Sequence, residues 1–162
     1  DASVSPLKPK DLKNFNGLDF FDFDSIYVVY AKIIKTPKST PFKMKTTTDT
    51  PADFRMYGKL IFNLKEQQHE LSIYENLDYL NVEGYENYLF LPFLDRTNGF
   101  ETYGGGRYID LYQYHNDSIL IDFNRAYNPK CVYDKNFSCP IVPRENYLDT
   151  KIEAGVKKFV KN

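Results

Sequence analysis

Short runs of β-branched and aromatic residues, each cut off by Pro, Gly or Asn, leave this chain little choice but strands. Rings and branched side chains suit a pleated, half-buried surface, and the chain carries 14 Tyr and 13 Phe with no Trp. The first run is Ser25–Lys35, closed by a Pro-bearing turn over Thr36–Pro41. Phe42–Thr48 alternates, and after the break at Pro51-Ala52-Asp53 the pattern resumes in Arg55–Leu64. A polar turn, Lys65–Gln68, leads into His69–Glu75, and the two segments around it read as a hairpin. Tyr88–Asp95 is nearly all apolar, which predicts burial on both faces, with Pro92 marking a bulge or an edge. Arg107–Tyr114 and Ser118–Arg125 read as a second hairpin across His115–Asp117. Thr150-x-x-Glu153 has the form of a helix capping box, and Ile152, Val156, Phe159 and Val160 recur at helical spacing. The expectation is a mainly β fold: an antiparallel barrel or sandwich of about seven strands with a helix over Thr150–Val160.

With 162 residues and 42% hydrophobic content the chain suffices for one domain with a proper core. Residues 1–24, with the patch Phe20-Phe21-Asp22-Phe23, read as a lead-in that is packed or partly disordered; residues 25–162 read as the β-rich domain. A net charge of −1 gives no pull toward nucleic acid or anionic lipid, and no apolar run approaches the roughly 18 residues of a membrane helix.

Three stretches carry more than scaffold requires. The first is Glu101-Thr102-Tyr103-Gly104-Gly105-Gly106-Arg107. Three successive glycines weaken a strand, so they answer either a tight backbone passage or a nest of N–H groups for an anion, with Arg107 as a forked donor. No helix follows for a dinucleotide fingerprint, and a P-loop is missing its Gly-Lys-Ser/Thr. The second stretch, Asp122 to Pro129, sets Asp122, Asn124, Arg125 and Asn128 at a strand end, with Tyr127 among them. A two-residue hairpin loop puts Arg107 on the face of Asp122 and Asn124 and near Ala126. The group then reads either as a structural network or as one side of a site.

The third stretch holds both cysteines, Cys131 and Cys139. A local disulfide and a reduced pair are both compatible with this spacing. A zinc site would need two further ligands, and only His69 and His115 exist, on different hairpins, so no metal is expected. There is no Gly-x-Ser-x-Gly elbow and no His-Glu-x-x-His.

The segments Phe42–Thr48, Met56–Phe62, Tyr88–Leu111, Asp122–Tyr133 and Cys139–Asn146 resemble the bacterial family known as domain of unknown function 1684. The glycine-loop block and Asn-Arg-Ala-Tyr-Asn-Pro are its most specific parts. The form is similar to those of Bacteroidetes, whose precursors often begin with an export signal. The resemblance implies a processed, envelope-associated protein, with a cytoplasmic one as the alternative. It implies a pocket shared across the family and no particular reaction.

The residues together support a small-ligand-binding domain needing no cofactor. Glu101, Tyr103, Gly104–Gly106 and Arg107 would meet Asp122, Asn124, Arg125, Tyr127 and Asn128 around a polar or anionic molecule. The alternatives are a hydrolase or isomerase acting on a small polar substrate, and a structural or interaction module of the envelope.

Overall fold

A computed structural model describes residues 5–113 and 116–160, and its regular elements are almost all strands. In chain order these are β1 (Val28–Lys35), β2 (Phe42–Met44), β3 (Ala52–Leu64), β4 (Gln67–Asn76), β5 (Tyr88–Phe93), β6 (Arg107–Tyr112) and β7 (Ser118–Asp122). One four-residue helix, α1 (Pro9–Leu12), and a few 3₁₀ turns complete the described elements. No described helix is long and apolar enough to cross a membrane. All the strand pairs are antiparallel, in the order β6-β5-β4-β3-β1-β7, with β2 against the start of β3. The sheet curls into a half-barrel.

The β3–β4 hairpin matches the expectation from sequence, and its turn residues Lys65 and Glu66 both take positive φ. Such a two-residue turn carries the twist of the flanking strands into the hairpin. A bulge between Met56 and Gly58 changes which face each side chain meets. Before it, Phe54 and Met56 pack on the outer face with Met44, Tyr74, Phe90, Tyr108 and Val142. After it, Leu60, Phe62 and Leu64 turn inward to Leu71, Ile73, Leu91 and Ile109. One extra residue in β3 thus lets the sheet cover two apolar clusters, one inside its curl and one outside. Gly58 is required there, because a Cβ would stand 2.6 Å from the Ile34 carbonyl oxygen.

Between β4 and β5 the ladder is thin, with only Tyr74 opposite Phe90. Asn146 fills the gap. Its side chain accepts from the Ser72 N–H at 2.8 Å and donates to the Ser72 and Pro92 carbonyls at 2.8 and 2.7 Å.

Two expectations are corrected. β6 and β7 are not a hairpin: β6 pairs along its whole length with β5, and β7 with β1, at opposite edges of the sheet. The inward residues Ile109, Leu111, Ile119 and Ile121 all reach one core, which a curled sheet supplies from both edges. The edges meet once, beyond β7, where Tyr108 and Tyr127 exchange two backbone hydrogen bonds of 3.0 Å. Tyr114 and His115, in the connection, lie outside the described residues.

The second correction is the helix over Thr150–Val160, which is extended chain instead. Ile152, Ala154 and Val156 are buried at alternate positions, and Gly155 has φ +79° with no room for a Cβ beside Phe123 and Ala126. The Val156 N–H donates to the Ala126 carbonyl, and residues 19–21 of the lead-in pair with residues 155–157. Burial between two segments holds these residues extended, overriding the local capping pattern.

Candidate functional site

Arg107 begins β6 on the strand's inward face and is fully buried. Its guanidinium donates to the carbonyls of Ile152 (2.9 Å), Ala154 and Val156 (3.2 Å), and lies 3.5 Å from Asp95. The Phe93 ring stands 5.2 Å away. Burial pulls the Arg107 pKa down and Asp95 pulls it back up. Asp95 also accepts from the N–H groups of Thr97 and Ile152, the Thr97 hydroxyl and the Asn98 amide. The charge of Arg107 is met by the chain itself, through Asp95 and not through Asp122 or Glu101.

The glycine loop has its own steric reasons. Gly106 has φ +93°, and a Cβ there would lie 2.6 Å from the Phe93 carbonyl oxygen. Gly105 lies under the folded-back ring of Tyr103, 2.5 Å from a Cβ built there. Gly104 meets only Gly99, at 3.8 Å, beside a shallow depression shared with Phe100, Arg96 and Lys151. Gly106→Ala is therefore expected to lose roughly 3 kcal/mol, from positive φ and overpacking together. Gly104→Ala should stay within about 0.5 kcal/mol. Urea unfolding of both variants checks this, and equal losses would remove the steric account.

The other predicted residues separate. Glu101 pairs with Lys151 at 3.2 Å on the surface, and its carboxyl is held below its ordinary value, first by its own backbone N–H and then by Lys151. Asp122 caps the turn Phe123–Arg125 through the Asn124 N–H at 2.9 Å, and Asn124 exchanges bonds with the Asp24 backbone. Arg125 is exposed, and Asn128 is buried, donating to the Tyr133 hydroxyl. Tyr103 lines a cavity with Cys131, whereas Tyr127 and Cys139 line a different one. The eleven residues do not converge on one pocket.

Tyr127 and Cys139 belong to a cleft of about 290 Å³ on the outer face of the sheet. Phe54, Phe90 and Tyr108 form its floor, since they are the outward residues of β3, β5 and β6. Residues 137–140 roof it, held over the sheet by bonds from Thr47 N–H to the Cys139 carbonyl and from Ile141 N–H to the Lys45 carbonyl. Tyr79, Tyr88 and Lys130 stand at the rim. The rings pack edge to face, Phe90 with Tyr108 at 4.7 Å and Tyr108 with Tyr127 at 5.8 Å. The Tyr88 and Tyr127 hydroxyls both donate to Asp110 Oδ1, at 2.7 and 2.6 Å, and the Tyr108 hydroxyl donates to the Pro140 carbonyl. Sequence reasoning named Tyr127 as a site residue but grouped it with the glycine loop rather than with this cleft. Its trace was there: Tyr108, Asp110 and Tyr112 alternate on one face of a strand beside Tyr88 and Phe90.

Burial, before any other cause, pushes the hydroxyl pKa values of Tyr88, Tyr108 and Tyr127 well above the ordinary range. The neutral phenols are thus favoured by the fold. Their contribution is complete below the unfolded value of about 10 and declines as pH rises past it. In an alkaline titration these rings should yield phenolate absorbance only as the strand signal in circular dichroism collapses. Complete tyrosine ionisation with the fold intact would contradict the burial.

Against known proteins, the chain matches the family described as "Protein of unknown function (DUF1684)" over residues 13–157. It is similar to the solution NMR structure of an uncharacterized protein from Haloarcula marismortui, at 32% identity and TM-score 0.75. That match covers 94% of this chain and 82% of the other. No curated protein matches. The chain belongs to the DUF1684 family.

Proposed function

We propose that this protein binds a small, ring-bearing polar molecule with an anionic group in the outer-face cleft. The observation that carries the reading is the meeting of aromatic walls with few polar groups: the side chains of Tyr79, Tyr88, Tyr108 and Tyr127 and the Lys130 ammonium, with Asp110 fixing two of the hydroxyls from behind. Apolar walls with sparse, fixed polar groups are the usual make-up of a ligand site, and about 290 Å³ stands at the small end of the roughly 300–1,000 Å³ such sites occupy. Phe90 and Tyr108 would stack on the ring, the Tyr127 hydroxyl would bond its edge, and Lys130 would meet its charge. The arginines expected from sequence have no part in it, since Arg107 is spent on the chain and Arg125 is away from the cleft.

Thermal shift against a library of small cyclic acids tests the reading. A ligand at a hundred times its Kd adds about 2.7 kcal/mol, which moves the melting of a chain this size by roughly 5–10 °C. The shift should vanish in Tyr127→Ala, weaken in Lys130→Ala and persist in Arg125→Ala. Shifts indifferent to Tyr127 and Lys130 would rule the cleft out as the site.

A further inference from the structure

The two cysteines sit between two cavities. Cys139 is buried on the wall of the aromatic cleft, and half-buried Cys131 lines a separate cavity of about 410 Å³. Turns over Lys130–Val132 and Asp134–Phe137 fold the intervening chain back on itself. As a result the Cys131 N–H donates to the Cys139 sulfur at 3.2 Å, which sets the two cysteines side by side. Both are free, so the geometry is that of a reduced pair placed to close.

The two thiols are not equivalent. Burial, more than any other cause, pushes the Cys139 pKa up to about 11, which leaves it a poor first attacker. Cys131 opens to a cavity that also presents Lys135 and Lys158, neither of which makes an ion pair among the described residues. Tyr103 lines the same cavity as Cys131. A cavity with a thiol, a phenol and two ammonium groups suits a small disulfide whose ends carry carboxylates.

We propose that Cys131 and Cys139 form a thiol–disulfide relay that is oxidised by a low-molecular-weight, carboxylate-bearing disulfide bound between Lys135 and Lys158. Cys131 loses its proton and attacks one sulfur of the small disulfide. A mixed disulfide forms on Cys131, the small S–S bond breaks, and the departing thiolate takes up that proton. Cys139 then loses its proton and attacks the Cys131 sulfur. The internal bridge forms, the mixed bond breaks, and the second small thiolate leaves as a thiol. The protein gives up two electrons and two protons, and one small disulfide becomes two thiols. Bridging moves the Cys139 sulfur relative to the cleft, so the redox state also sets how the cleft binds. This last consequence rests on the cleft being the ligand site, and the relay itself does not.

Oxidised glutathione is the probe, with neutral 2-hydroxyethyl disulfide as comparator and intact mass as readout. Native protein should lose two hydrogens and both reactive thiols. Cys139→Ser should stop with one glutathionyl group on the protein, and Cys131→Ser should take none. Lys135→Ala with Lys158→Ala should slow the glutathione reaction about tenfold at low salt and leave the neutral reaction unchanged, as steering by charge requires. Circular dichroism of each variant separates lost reactivity from lost fold. Adduct formation on Cys131→Ser, an inert native protein, or equal slowing with both disulfides would each overturn the relay. Failure of the thermal-shift experiment alone would sink the cleft and leave these masses unaffected.

Discussion

Arg107→Ala will cost the fold at least about 5 kcal/mol. Breaking a buried ion pair from one side leaves a charge without compensation, at roughly 3–5 kcal/mol. Here that charge is Asp95, and the carbonyls of Ile152, Ala154 and Val156 lose a shared donor as well. Each buried acceptor left bare adds about 1–3 kcal/mol. Because total stability is of order 5–15 kcal/mol, the variant should lose a third or more of it. Arg107→Lys should fall between, since one ammonium keeps the charge without the fork that reaches several carbonyls. Urea titrations followed by circular dichroism decide the matter. A loss under about 2 kcal/mol in Arg107→Ala would mean that the guanidinium is not what holds the C-terminal segment in place.

Asn146→Ala is the next largest expected loss, at about 3–5 kcal/mol. The Asn146 amide makes three bonds to Ser72 and Pro92, and deleting it strands an N–H and two carbonyls inside the sheet. The damage should be local before it is global. Amide exchange at Ser72 and its neighbours is expected to quicken more than exchange in the β1–β3 ladder. A uniform change over all strands would show that β4 and β5 are not held together through this side chain. Asn146→Asp discriminates further, because a carboxylate can still accept from Ser72 but cannot donate to either carbonyl.

The strands were legible because their signals are local. Alternation and turn residues define Arg55–Leu64 and His69–Glu75 without reference to the rest of the chain, and both match the structure in kind. The C-terminal segment was misread because two periods overlap in it. Ile152, Val156 and Phe159 fit a helix, whereas Ile152, Ala154 and Val156 fit a strand, and Gly155 was the hint that favoured the second. The hairpin of β6 and β7 failed for another reason: a short connection usually joins paired strands, but a curled sheet brings its two edges close without pairing them. The candidate site suffered most. Arg107, Gly105 and Gly106 do occupy demanding positions, as their rarity suggested, yet what they satisfy is backbone and packing distant in sequence. The cleft is assembled from ordinary tyrosines and phenylalanines on separate strands, and no single segment announces it.

Arg107 also sets an order of events during folding. Its three carbonyl acceptors lie 45 to 49 residues further along the chain. Once Asp122 has been added every strand of the sheet has been synthesised, yet until Ile152 follows the guanidinium has only Asp95 to turn to. Drawing it into the core at that stage would desolvate a cation without its acceptors, so the nascent sheet must keep this corner wet and open. Completion waits for residues 152–156 to arrive and lie across it. The inner core thus seals last at Arg107, and a chain stalled before Ile152 would present an unfinished, water-filled curl to chaperones and proteases.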